Sequence, residues 1–109
     1  MVSGLAGEID MTTAPAVRDQ LLEYLERGHL NLVVDLQEVE FLDSTGLSAL
    51  IVVYRRARQL GGHLRVAAPR PNVRRILEIT RLDVLFDVHD DVEGAVRKLS
   101  DDLAVEGGK

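Results

Sequence analysis

Apolar residues recur along this chain in two alternating periods, one suited to strands and one to helices. Val2 to Ala6 is a short strand candidate, and Gly7-Glu8-Ile9-Asp10 is expected to turn the chain. Val17, Leu21, Leu22 and Leu25 keep the 3.6-residue spacing of one buried face. They predict a helix from Thr13, as its N-cap, to about Arg27, with Pro15 in the first turn and Gly28 closing it. Asn31 to Leu36 is short, apolar and β-branched, and reads as a buried strand. A loop from Gln37 to Leu42 is expected to lead to a second helix, roughly Thr45 to Leu60. There Leu47, Leu50, Ile51, Tyr54 and Ala57 form one stripe that Val52 and Val53 widen.

Gly61-Gly62 ends that helix, and His63 to Ala67 alternates as a strand. Pro69 and Pro71 flank a turn into a third helix, about Asn72 to Ile79, with Val73, Ile76, Leu77 and Thr80 inward. Val84 to Val88 is expected to add a last strand. Asp90-Asp91 opens a final helix with Val92, Ala95, Val96 and Leu99 inward. Alternating strands and helices predict an α/β layer fold with largely parallel strands. One domain is expected over residues 1–105, and residues 106–109 read as a frayed tail.

Composition narrows the function classes. Of the 109 residues 46% are hydrophobic, enough for a core without staples, and no cysteine is available for disulfides, thiolate metal sites or thiol catalysis. No apolar run reaches the ~20 residues that span a bilayer, and Met1-Val2-Ser3-Gly4 lacks the features of a secretory signal. A soluble, cytoplasmic protein with no membrane partner is therefore expected. The net charge of −5 is uneven: seven arginines and no acid lie between Tyr54 and Leu77. With few stacking rings and no reader motif there, direct nucleic-acid binding is not expected, and the arginines read as solvated helix faces.

The chemistry concentrates in Asp43-Ser44-Thr45-Gly46-Leu47, between a buried strand and an apolar helix. One reading makes Ser44 simply the N-cap of that helix, an interaction of about 1 kcal/mol. The other uses the same position for modification. Unpaired N–H groups and the positive helix end tolerate a phosphate on Ser44, which would add roughly −1.5 to −2 charge beside Asp43. A partner docked there would be repelled. Gly46 would leave room for that partner's backbone.

The chain resembles the bacterial anti-sigma-factor antagonists, stand-alone members of the STAS-domain family. The resemblance rests on an ordered set: Gly7-Glu8-Ile9-Asp10, Thr13-Ala14-Pro15, Val33-Val34-Asp35-Leu36, Phe41 to Leu47, and Gly61-Gly62-His63-Leu64. It implies a STAS fold, a mixed, mostly parallel sheet of about four strands packed against about four helices. It also implies partner switching. The unmodified protein would bind a serine kinase that doubles as an anti-sigma factor, freeing the sigma factor. The kinase would phosphorylate Ser44 and a serine phosphatase would restore it. Asp10, Asp43, Thr45, Gly46 and Leu47 are the implied partner-binding residues. Family members usually carry one more strand before the Gly-Glu-Ile-Asp segment, so the sheet is expected to be one strand short with an open edge.

Rival chemistry is poorly supported. His29, His63 and His89 sit in no hydrolase signature and have no metal-ligand spacing, so neither an enzyme nor a metal or cofactor site is expected. The remaining alternative is a STAS subunit of a membrane lipid-transport complex, docked on its ATPase without phosphorylation. Ser44-Thr45 and the Gly-Glu-Ile-Asp opening favour the antagonist.

Overall fold

In a computed structural model that describes residues 1–98, strands and helices alternate in chain order. They are β1 (Val2–Ile9), α1 (Ala14–Glu26), β2 (Asn31–Leu42), α2 (Ser44–Gln59), β3 (His63–Ala67), α3 (Pro71–Ile79), a single helical turn α4 (Leu82–Leu85) and β4 (Val88–His89). A further helix, α5, begins at residue 92 and is described to residue 98. Leu99, the domain limit at 105 and the tail at 106–109 lie outside the described residues.

The strands lie in the order β1-β2-β3-β4, and all three pairings are parallel. The expected α/β fold with about four strands is found, with no antiparallel pair among the described strands. A parallel sheet that grows in one direction, through crossovers of one hand, places its crossover helices on one face. The core follows that rule. Leu32, Val34, Leu36 and Leu42 of β2 join one cluster with Leu21 of α1, Leu50 of α2 and Leu77 of α3. Val33 and Ala67 point the other way and meet Ala95 and Val92 of α5. Among the described strands β1 pairs only with β2 and forms one edge of the sheet.

Several boundaries differ from expectation, each for a physical reason. β1 continues through Gly7 to Ile9 instead of turning, because irregularities in its register, between Gly4 and Ala6 and between Gly7 and Glu8, absorb Gly7 at φ +77°. The expected loop from Gln37 to Leu42 is strand, since β1 pairs with β2 as far as Leu42. On the other side β3 stops opposite Asp35. Beyond it, Arg70 Nε donates to the Gln37 carbonyl (3.0 Å) and Asn72 Nδ2 to that of Glu40 (2.8 Å).

Val84 and Leu85 are the last two residues of α4 rather than part of a strand, and β4 is only two residues long. Phe86 is fully buried, edge-on to Tyr54 at 6.0 Å. Thr80, Val52 and Val96 face outward, against the inward placement expected of them. Arg65 is not on a solvated helix face. It is buried in β3, and its Nε donates to Asp87 at 2.9 Å.

The helix ends hold the crossovers in place. At the end of α2, the Gly61 N–H donates to the Arg58 carbonyl (3.1 Å) and the Gly62 N–H to that of Ala57 (2.7 Å). This paired arrangement uses the left-handed φ of +81° at Gly61. Gly62 is then pressed against the start of β2: a Cβ built there would lie 1.9 Å from the Leu30 carbonyl oxygen. Gly4, in contrast, has open space around it. Gly62→Ala should therefore lower the unfolding free energy by about 2 kcal/mol or more, whereas Gly4→Ala should leave it nearly unchanged. Urea unfolding of the two variants checks the ranking.

Candidate functional site

β1 and β2 run parallel and end side by side, at Ile9 and Leu42. The residues that follow them, Asp10 and Asp43, each organise a turn with a carboxylate. Asp43 is the N-cap of α2, and its Oδ1 accepts from the Gly46 N–H (3.0 Å) and the Thr45 hydroxyl (2.6 Å). Its own N–H donates to the Ile9 carbonyl (3.2 Å), which ties the start of α2 to the end of β1. Ser44 is therefore not the cap. It is the first helical residue, exposed, and the first bond of the helix ladder is Leu47 N–H to the Asp43 carbonyl at 3.0 Å. The Ser44 and Thr45 amides precede that bond, at the positive end of the helix.

Asp10 repeats the device before α1. Its Oδ1 accepts from the Thr12 hydroxyl (2.6 Å) and N–H (2.9 Å). Thr13 occupies the N-cap position as expected but does not cap with its side chain. Its hydroxyl donates to the Glu8 carbonyl (2.8 Å) and accepts from the Asp10 N–H (2.9 Å), fastening the turn back onto β1. Both carboxyls are held below the usual carboxylate range. For Asp10 the main cause is the Thr12 hydroxyl, and for Asp43 it is the Thr45 hydroxyl followed by the Gly46 N–H. The negative charge of Asp10 acts on Asp43 in the opposite sense, as the smallest of these causes.

Asp10, Asp43, Ser44 and Thr45 are thus brought together on one surface. Gly46 and Leu47 lie behind it, both buried. The room at Gly46 is taken from within, not left for a partner's backbone. A Cβ there would meet Leu42 Cδ1 at 2.5 Å and the Ile9 carbonyl oxygen at 2.8 Å. Met11, 71% exposed between Asp10 and Thr12, is an apolar side chain at the same surface that the motif did not point to. Its only sequence signal is a long apolar residue inside a polar turn. His29 and His63 sit at the opposite end of the sheet, where β2 and β3 begin.

The STAS domain family model matches residues 1–95. The anti-sigma-B factor antagonist of Bacillus subtilis is 32% identical over 93 residues, which span 85% of this chain and 84% of that protein. A solved anti-sigma factor antagonist from Mycobacterium paratuberculosis superposes with a TM-score of 0.82 at 34% identity, covering 91% of this chain and 84% of that one. The phosphorylated form of the Bacillus cell fate determinant SpoIIAA shares the fold, with a TM-score of 0.69 at 19% identity over 89% of this chain and 87% of that one.

The cap has a pH signature. Because the folded state lowers the pKa of Asp43, its ionised form adds stability above the unfolded value of about 3.9, and that contribution is lost as pH falls through the folded value. Asp43→Asn keeps an acceptor for Gly46 and Thr45 without the titration. The wild-type chain should therefore lose stability below about pH 4 more steeply than Asp43→Asn. Parallel unfolding curves across that range would show that the cap does not favour the charged form.

Proposed function

The chain belongs to the STAS-domain family, and from that premise we propose that it is an anti-sigma-factor antagonist controlled by phosphorylation of Ser44. Unmodified, it binds a serine kinase that doubles as an anti-sigma factor, and the sigma factor is released. Phosphorylated, it lets go, and a serine phosphatase resets it. The protein acts in the cytoplasm as ligand and substrate of the kinase rather than as a catalyst. Relatives named anti-sigma-B factor antagonist support this reading.

The observation that carries the proposal is the position of Ser44. An exposed hydroxyl stands at the first residue of a sixteen-residue helix, and the capping task belongs to its neighbour Asp43. Modifying Ser44 therefore leaves the helix cap in place. A phosphate there meets the positive end of α2, an interaction of about 0.3–1 kcal/mol that offsets part of its repulsion from Asp43. At the surface the change is large. A partner that tolerated two carboxylates, Asp10 and Asp43, now faces roughly −1.5 to −2 further charge. Phosphorylated SpoIIAA has this fold, which supports a phosphorylated state that stays folded.

Ser44→Ala should hold the kinase constitutively, and Ser44→Asp should weaken the complex by about tenfold or more. Isothermal titration against the purified kinase measures both. Equal loss in the two variants would point to a lost hydroxyl contact instead of a charge switch. The melting temperature of the phosphorylated chain should stay within about 4 °C of the unmodified one. A larger drop would mean that the phosphate acts by unfolding the helix.

A further inference from the structure

A groove runs along the outside of α1 and α2, away from the sheet, and begins at the Ser44 loop. Thr45, Ser48, Val52 and Arg55 fall on one stripe of α2, at steps of three and four residues. Pro15, Arg18, Leu22 and Glu26 form the facing wall on α1. Val52 divides the groove into a hollow of about 150 Å³ beside Thr45 and one of about 450 Å³ toward Gln59. From Thr45 to Gln59 the stripe is about 21 Å long, enough for four turns of a helix.

The floor is apolar and the rim basic. Val52 is 43% exposed at its centre, although the pattern of α2 had placed it inward. Arg56 is held at 2.8 Å by Glu26, the one acid in the lining among the described residues. Arg18 pairs, among the described residues, with its chain neighbour Asp19 alone, at 3.1 Å. Arg55 has no ion pair among the described residues. On a chain with net charge −5, this is a basic, apolar-floored strip that runs against the overall sign. Such a strip fits an amphipathic segment with carboxylates flanking one apolar side chain.

We infer that this groove is a second docking element for the kinase that modifies Ser44. It takes an acidic amphipathic segment of that kinase, with an apolar side chain over Val52 and carboxylates on Arg55 and Arg18. Continuity selects the kinase as occupant, because Thr45 both flanks Ser44 and opens the groove. The inference rests on the reading of Ser44 as phosphoacceptor. Docking at a distance from the reacting hydroxyl adds binding that is equal in the ground and transition states, so it appears in KM and not in kcat.

The test is steady-state phosphorylation of Ser44 by the purified kinase, for the wild-type chain and for Arg55→Glu, Val52→Asp and Arg75→Glu. Val52 and Arg55 are exposed, so both groove variants should fold, which thermal melting confirms. Arg75, exposed on α3, is the control for a general change of charge. Arg55→Glu and Val52→Asp should each raise KM about tenfold with kcat unchanged, and Arg75→Glu should not. Added salt should raise KM for the wild type more than for Arg55→Glu. If Ser44 is phosphorylated with KM within about twofold of wild type in both groove variants, the groove is not a docking element and the Ser44 reading stands. If the kinase binds the wild-type chain and never modifies Ser44, that reading falls and the inference with it.

Discussion

The first turn of α2 is pressed onto the ends of two parallel strands, and the rest of the site depends on that contact. Three residues make it. Asp43 donates its N–H to the Ile9 carbonyl and caps the helix with its side chain. Gly46 allows the approach, since any Cβ would strike Leu42 and Ile9. Leu47 then enters the core behind them. With the backbone fixed from inside, Ser44 and Thr45 are left facing out on a rigid helix end. A modifiable residue on such a support can change the surface charge without changing the fold. A loop that had to rearrange on modification would exchange that independence for coupling to stability.

The sheet topology explains why the site is a surface and not a cleft. In open α/β sheets ligands gather at the carboxyl ends of the strands where the strand order reverses. Here the described strands run in the order β1 to β4 without reversal, and they form no such crevice. The carboxyl ends of β1 and β2 instead present two capped turns side by side, each with a carboxylate bound into its own hydroxyl and amide donors. That arrangement suits contact with another protein. It also gives a phosphate two fixed negative neighbours against which its added charge counts.

Much of this was legible in the chain. The helical stripes of α1 and α2, Val52 apart, the closing glycines and the start of α2 beside Asp43 carried through, because local spacing and turn chemistry determine them. Where the reading slipped, distant partners decided. Asp43 and Ser44 are both good N-caps one residue apart, and only the Ile9 carbonyl and the Thr45 hydroxyl choose between them. Gln37 to Leu42 looked like a loop because its polar residues face outward. β1 makes it strand, and Arg70 and Asn72, more than thirty residues away, satisfy the Gln37 and Glu40 carbonyls. Arg65 reads as a surface cation until Asp87 is brought beside it across the fold. Gly46 was recognised, yet the reason for it, a contact between segments distant in sequence, is invisible in a five-residue motif.

The central claim is that Ser44 is the switch, and intact-mass and fragment mass spectrometry after incubation with ATP and the cognate kinase tests it most directly. The account predicts one added phosphate, mapped to Ser44 and absent from Ser44→Ala. A stable complex with the kinase that leaves the chain unmodified, or carries its phosphate elsewhere, would contradict it. The unmodified case would make this surface a fixed docking site of the kind a transporter subunit offers to its ATPase.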